Sequence, residues 1–338
     1  MAVPITVVGS IAFDAVKTPF GERERMLGGA AVHFALAASF FEEVLVVGPV
    51  GEDFGEAELD VLRHRGVDVS DVERIVGGRT FFWRGEYGWD LNSRETLDTQ
   101  LGVFEGFQPK LSERSRASDV LFLANIQPGL QQQVRRQVPD ARFVALDSMN
   151  LWIDIAREEL VGAIEGVDCL ILNDAELRQL TGRPNLVSAA REILSWRGSP
   201  AVEDDGSSGG SANGNAALRG GPRVIVAKQG EYGAALVTAE SFFALPAYPM
   251  EDVIDPTGAG DTFAGGFVGY IAAHPHDELS DDLLRRAMAH GTALASFNVE
   301  EFGTERVERL TGDEIAARVQ ALEEITRFSG ASVVQLRR

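Results

Sequence analysis

In the stretch Asp255-Pro256-Thr257-Gly258-Ala259-Gly260-Asp261-Thr262-Phe263-Ala264-Gly265-Gly266, a proline, three small residues and a carboxylate stand directly before an apolar run that reads as a helix. Pro256 sets a turn, and the small side chains at 258–260 let the backbone approach a ligand closely. The first N–H groups of a helix have no partner within it, so such a loop makes a pocket for an anion. Asp261 lies at the helix start, beside that pocket. A carboxylate there can simply cap the helix. Next to Gly258, Ala259 and Gly260 it suits phosphoryl transfer. The loop amides would steady the oxygens of the moving group while Asp261 accepts a hydroxyl proton.

Other polar residues stand at the ends of apolar runs. Asp14 follows the run Ile5–Val8 and the turn Gly9-Ser10. A carboxylate accepts two hydroxyl hydrogen bonds at once, as a vicinal diol offers, although a solvated loop acid is the plainer reading. Asn173 and Glu176 follow the run ending at Leu172 with the spacing of a capping box. Lys228 is one of only three lysines, with Lys17 and Lys110, and its place at a strand end before Gln229-Gly230 suits contact with phosphates or, equally, with solvent.

The elements that must carry these groups alternate in type. Apolar runs at Ile5–Val8, Val44–Val47, Val120–Ile126, Phe143–Leu146, Cys169–Leu172, Val224–Ala227 and Ala234–Val237 read as strands buried on both faces. Helical periodicity fills Gly29–Phe41, Glu56–Arg65, Leu151–Glu165, Leu186–Trp196, Gly260–Ala273 and Leu283–Phe297. An α/β fold follows, an open sheet with helices on both sides. Residues 11–26 and 79–108 break this rhythm with aromatic and charged alternation nearer period 2, and are expected to form a second, smaller sheet. The core then comprises 1–10, 27–78 and 109–338. Within it, 198–222 is a Gly-, Ser- and Asn-rich surface insertion expected to be flexible.

The Asp255–Asp261 run resembles the C-terminal signature of the ribokinase-like, or PfkB, family of sugar and nucleoside kinases, and the resemblance extends over nearly all of the chain outside 198–222. Val8-Gly9-Ser10 with Asp14 resembles the family's first strand and its substrate-binding aspartate. Gly28-Gly29 before an Ala-rich helix resembles the N-terminal signature, with His33 where many members carry asparagine. Asn173-Asp174-Ala175-Glu176 resembles the Asn-x-x-Glu motif, and Lys228-Gln229-Gly230 with Gly233 the nucleotide-side loop. Within the family, Glu95–Leu101, Asn125-Ile126 and Asp147–Trp152 are most similar to a bacterial subgroup of nucleoside kinases.

The resemblance implies a three-layer α/β/α fold with a mostly parallel central sheet and a small β-sheet lid, which can also serve as a homodimer surface. It implies ATP as donor and Mg²⁺ held through water by Glu176, with Asp255 and the carbonyls near Gly303 offering a place for K⁺. Asp261 is then the catalytic base. Asn173, Lys228, Gly230, Gly233, Thr257 and His290 are expected on the ATP side. Asp14, Gly28, Gly29, His33, Trp83 and Asn125 are expected on the acceptor side. Phe13, Phe81, Trp83, Tyr87 and Trp89 in the lid could stack on a nucleobase or simply pack the lid. An adenosine-like nucleoside acceptor follows, a ribose- or fructose-type sugar being the alternative and an idle sensor the third reading.

Other classes are excluded or unsupported. The chain lacks the P-loop pattern, a His-Glu-x-x-His pair and a CxxC pair, and its single cysteine, Cys169, fits a reducing compartment. With 51 acids against 31 bases, a net charge of −20 disfavours nucleic acid. It suits either a high-salt setting or an arginine-favouring codon bias. No apolar run reaches membrane-span length, so a cytoplasmic location is expected.

Overall fold

The computed structural model describes residues 4–196 and 220–327. Most of the expected 198–222 insertion therefore lies outside the described residues.

The strands are β1 (Ile5–Val8), β2 (Ala12–Thr18), β3 (Gly21–Gly28), β4 (Val44–Gly51), β5 (Val72–Ile75), β6 (Phe81–Tyr87), β7 (Arg94–Gln100), β8 (Val120–Leu123), β9 (Phe143–Asp147), β10 (Cys169–Asn173), β11 (Val224–Lys228), β12 (Ala234–Val237) and β13 (Phe242–Leu245). The helices are α1 (Ala30–Ala38), α2 (Glu56–His64), α3 (Glu113–Arg116), α4 (Pro128–Gln137), α5 (Asn150–Ile155), α6 (Arg157–Ile164), α7 (Asp174–Thr181), α8 (Leu186–Ser195), α9 (Ala259–Ala272), α10 (Asp281–Asn298), α11 (Glu305–Glu308) and α12 (Gly312–Thr326).

Nine strands form one sheet in the order β13-β12-β11-β10-β9-β8-β1-β4-β5. It is parallel except where β12 pairs antiparallel with both β11 and β13. Alternate side chains feed two cores. Ile5, Val7, Phe122, Ala145, Ile171 and Val226 pack against α1, α9 and α10 on one face. Val8, Leu123, Leu146, Leu172 and Ala227 pack against α4, α6, α7 and α8 on the other. Burial on both faces is why these strands read as unbroken apolar runs.

β1 has β4 on one side and β8 on the other, Ile5 aligning with Val44 and Val120. Connections therefore diverge at β1, and the crevice beyond the carboxyl ends of such strands is where α/β folds bind ligands. Asp147, Asn173 and Lys228 each end a strand at that edge, and Asn173 and Lys228 are register partners. Helix α9 is gripped between α1 and α10. A side chain at Gly265 would lie 2.4 Å from the Phe34 carbonyl, and one at Gly266 would lie 2.7 Å from Leu294. This close approach fixes where the start of α9 points.

The smaller sheet has the order β3-β2-β6-β7, with β2 parallel to β6 and the outer pairs antiparallel. β3 runs two residues beyond the expected boundary at 26, because Gly28 still pairs with Ala12. The expected helix Leu151–Glu165 is two helices, broken at Ala156, whose φ of −142° is not helical. β8 stops at Leu123, short of the expected Ile126. Among the described residues no helix is long and apolar enough to cross a membrane.

Candidate active site

Gly258 is the N-cap of α9 and has φ +75°, a conformation that side chains rarely adopt. A Cβ there would also fall 2.3–2.4 Å from three atoms of the His33 ring. The loop before it is anchored by Asp255, which is fully buried and accepts N–H groups from Thr257 at 2.9 Å and Gly303 at 3.0 Å. The three small residues do not act alike. The Ala259 N–H turns back to the Pro256 carbonyl at 3.3 Å. The N–H groups of Gly258, Gly260 and Asp261 take no protein partner among the described residues, and are the donors open to an anion. Ala259 is thus the one of the three whose N–H is shared with the turn.

Asp261 opens this helix among other charges. Burial, chiefly, and the neighbouring Asp147 push its carboxyl up to about 7, against the opposing pull of Lys228 and Arg94. Lys228 Nζ donates to Asp147 Oδ2 at 2.9 Å and lies 3.0 Å from where a Gly260 side chain would begin. Burial lowers the Lys228 pKa, but Asp147, Glu176 and Asp261 outweigh it and raise it overall. Lys228 is therefore an ammonium at the mouth of the loop.

Asn173 caps α7 in a reciprocal box, its Oδ1 accepting from the Glu176 N–H at 2.7 Å and Glu176 accepting from the Asn173 N–H at 2.8 Å. Burial raises the Glu176 pKa to about 7. Gly230 and Gly233, both with positive φ, shape the turn between β11 and β12.

On the opposite side, Asp14 lies at the β2–β3 edge, where a Cβ on Gly28 would overlap its carboxylate at 2.0 Å. Burial, then Asp255 and Asp261, push Asp14 up to about 7, while the Gly29 N–H pulls the other way. Asp14, Gly28, Gly29, Asp255 and Asp261 thus share one site. Trp83 pairs in register with Asp14 on the adjacent strand. Asn125 accepts from Trp152 Nε1 at 3.0 Å, just past the end of β8.

Several expected residues lie elsewhere. His290 stacks on Tyr270 with ring centroids 4.2 Å apart and meets Phe41 at 5.6 Å. Tyr270 is ten residues along α9 from Gly260, roughly 15 Å down the helix, so His290 is corrected from the ATP side to an aromatic cluster at the far end. His33 is 2% exposed and held against Gly258 and Asn298, so it is corrected from an acceptor contact to support beneath the loop. Burial lowers its pKa to about 4, keeping it neutral. Phe13 packs on Phe54 and Phe81 on Phe104, as lid and core packing, while Trp89 stands 88% exposed.

Arg94 and Asn298 join the site without having been singled out in the sequence. Arg94, exposed on β7, lies over the Trp83 ring and is a cation on the site's side of the lid that draws down the pKa values of Asp14, Glu176, Asp261 and Tyr87. No local pattern distinguishes it from the other arginines. Asn298 Nδ2 donates to the Thr257 carbonyl at 2.7 Å, and its one sequence signal is an amide at the last position of a helix.

The fold is thus a doubly wound sheet with a small second sheet, and a helix start with open N–H groups and a buried carboxylate lies at the carboxyl edge of its strands. The sequence model of the pfkB family of carbohydrate kinases matches residues 4–309. The chain belongs to this family and is a phosphotransferase. It is 28% identical to a cytidine kinase of Thermococcus kodakarensis, over 81% of this chain and 91% of that one. It is 24% identical to an ATP-dependent ribose-1-phosphate kinase of Halopiger xanaduensis, over 86% of this chain and 85% of that one. Its fold is similar to the nucleoside kinase of Methanocaldococcus jannaschii, an archaeal member of the ribokinase family, with a TM-score of 0.72, 19% identity and coverage of 94% and 98%.

Proposed function

We propose that the protein transfers the terminal phosphoryl group of ATP to a primary hydroxyl of a nucleoside. The observation that carries this reading is Asp261 at the start of α9, between the open N–H groups of Gly258 and Gly260 and the buried carboxylate of Asp14. Asp14, with Gly28 and Gly29 against it, accepts the hydroxyls of the ribose. Asp261 takes the proton of the attacking hydroxyl as its oxygen bonds to the γ-phosphorus and the bond to ADP breaks. The N–H groups of Gly258 and Gly260, with Lys228 and Arg94, neutralise charge on the transferring group. Thr257 and the 230–233 turn border the donor.

A nucleoside is favoured over a free sugar by Trp83, in register with Asp14 and with Arg94 over its ring, which is the aromatic group a base would meet there. Its likeness to a cytidine kinase supports the same acceptor class.

Asp147 already accepts from the Ser148 N–H and from Lys228, so the oxygen left to a hard divalent cation is Glu176 Oε1, whose partner Oε2 accepts from the Asn173 N–H. Bound there, Mg²⁺ would offset phosphate charge. For K⁺ the fit is poor, since both oxygens of Asp255 accept N–H groups, and no step depends on it.

The test is an ADP-release screen across cytidine, adenosine, inosine, ribose, fructose and ribose 1-phosphate. Turnover of a nucleoside at least tenfold above every other compound is expected. Preference for a free sugar or for ribose 1-phosphate would replace the acceptor, and silence across the panel would overturn the nucleoside reading.

A further inference from the structure

The Thr257 carbonyl governs the direction of the neighbouring Gly258 N–H. In a trans peptide the C=O of one residue and the N–H of the next point in opposite directions. Asn298 holds that carbonyl at 2.7 Å, so whatever holds Asn298 also aims the Gly258 donor.

Asn298 is fully buried. A carbonyl can only accept, so the Asn298 nitrogen faces Thr257 and its Oδ1 faces the other way. That oxygen accepts from Thr262 Oγ1 at 2.9 Å and lies 3.2 Å from His33 Nδ1. His33 therefore carries its proton on Nδ1. Its Nε2 is left sealed from water with no partner. An unpaired buried acceptor costs stability, and a phenyl ring in the same place would avoid that cost. The imidazole is thus poorly explained as filler, and its useful atom is Nδ1. The same ring lies against Gly258, where any side chain would collide with it.

We infer that His33 and Asn298 act as a positioning pair that orients the Thr257–Gly258 peptide, so that the Gly258 N–H faces the transferring phosphoryl group. His33 works through Asn298 and touches neither reactant. The inference rests on the anion-loop reading given under Proposed function.

The test compares His33→Phe, Asn298→Leu, the double variant and Asp261→Asn, using the best acceptor from the nucleoside and sugar panel. Each single positioning variant is expected to lower kcat about tenfold, with the KM values of acceptor and ATP within twofold. The double variant should be no worse than the poorer single, because the two residues act in series. A folded single variant with native kcat, a loss confined to acceptor KM in His33→Phe, or independent losses that multiply in the double would each overturn the inference. Should a core variant not fold, Thr262→Val removes one donor to Asn298 at constant shape and is expected to lower kcat about threefold, an unchanged kcat counting against the pair. Independently of turnover, a crystal structure of Asn298→Leu should show the Thr257 carbonyl rotated, and an unrotated carbonyl rejects the inference. If Asp261→Asn is inactive while His33→Phe is native, only this inference fails; if Asp261→Asn retains native turnover, the reading of the loop itself fails.

Discussion

The loop 255–260 is braced from beneath by Asp255, His33 and Asn298, all buried, whereas the lid strand β7 stands largely in solvent along its length. The lid joins the core beside this loop through the apolar cluster of Val16, Trp83, Tyr87, Leu91, Ile254 and Phe302, and through polar contacts. Thr257 Oγ1 donates to the Tyr87 hydroxyl at 3.2 Å, and Asn92, in the β6–β7 hairpin, donates to Glu231 at 3.1 Å beside the nucleotide-side turn. Developing charge is best stabilised by donors already fixed in place, since they need not reorganise during the reaction. An acceptor must enter and leave, which a lid with a solvated outer strand permits. Rigidity is therefore concentrated beneath the phosphoryl group, and freedom above the acceptor.

That contrast is broken most sharply at Asp261. Asp261→Asn should lower kcat by ~10²–10⁴-fold with a much smaller change in acceptor KM, as expected for loss of a general base. Steady-state rates by coupled ADP release decide it, and near-native turnover would remove Asp261 from the role. Next in size is Asp14→Ala, expected to raise acceptor KM by about 50-fold while leaving the ATP KM within threefold, because hydrogen bonds to a charged group are worth roughly 1.5–3 kcal/mol. Equal effects on both substrates would mean that Asp14 serves the fold and not the acceptor. Arg94→Ala probes the lid itself. A cation brought by a solvated strand should contribute to kcat about tenfold, less than the braced base, and Arg94→Lys should recover part of it. A loss in Arg94→Ala as deep as that of Asp261→Asn would erase the distinction between the two regions.

The part of this arrangement legible in the sequence is the part that is local. The loop from Asp255 to Gly266 carries its turn, its small residues and its carboxylate in twelve consecutive positions. The central strands declare themselves because both faces are buried. Strand β13 does not, since Phe242 and Ala244 are exposed, and α4 is masked by glutamines and arginines around Leu130 and Val134. Asn298 and His33 are 265 residues apart and meet only because α1 and α10 both pack against α9. Arg94 acquires its place from the lid's pairing and not from its neighbours in the chain. His290 shows the converse: helical periodicity puts it on a buried face but cannot say which end of α9 that face meets.

The smallest expected effect is on stability, and its sign follows from the crowding of carboxylates on the braced side. Asp14, Glu176 and Asp261 are each raised to about 7, mainly by burial. In the unfolded chain they release their protons near pH 4. Between those values the folded state binds more protons, so their stabilising contribution is full below about pH 4 and is lost as pH rises through about 7. His33 acts oppositely. It is lowered to about 4, so it adds stability as pH rises from 4 to about 6.5. Burial also raises Asp255 and lowers His290, so four acids stand against two imidazoles and a net decline remains. The Tm of the ligand-free protein should fall by roughly 5 °C between pH 5 and pH 8, read by calorimetry. Asp261→Asn should flatten that decline and melt higher than the parent at pH 8, trading activity for stability at the point where the charges are closest. A parent Tm that climbs over this range, or an Asp261→Asn profile that merely tracks it, would mean that the carboxylates are well solvated and that the loop is no more tightly enclosed than the lid.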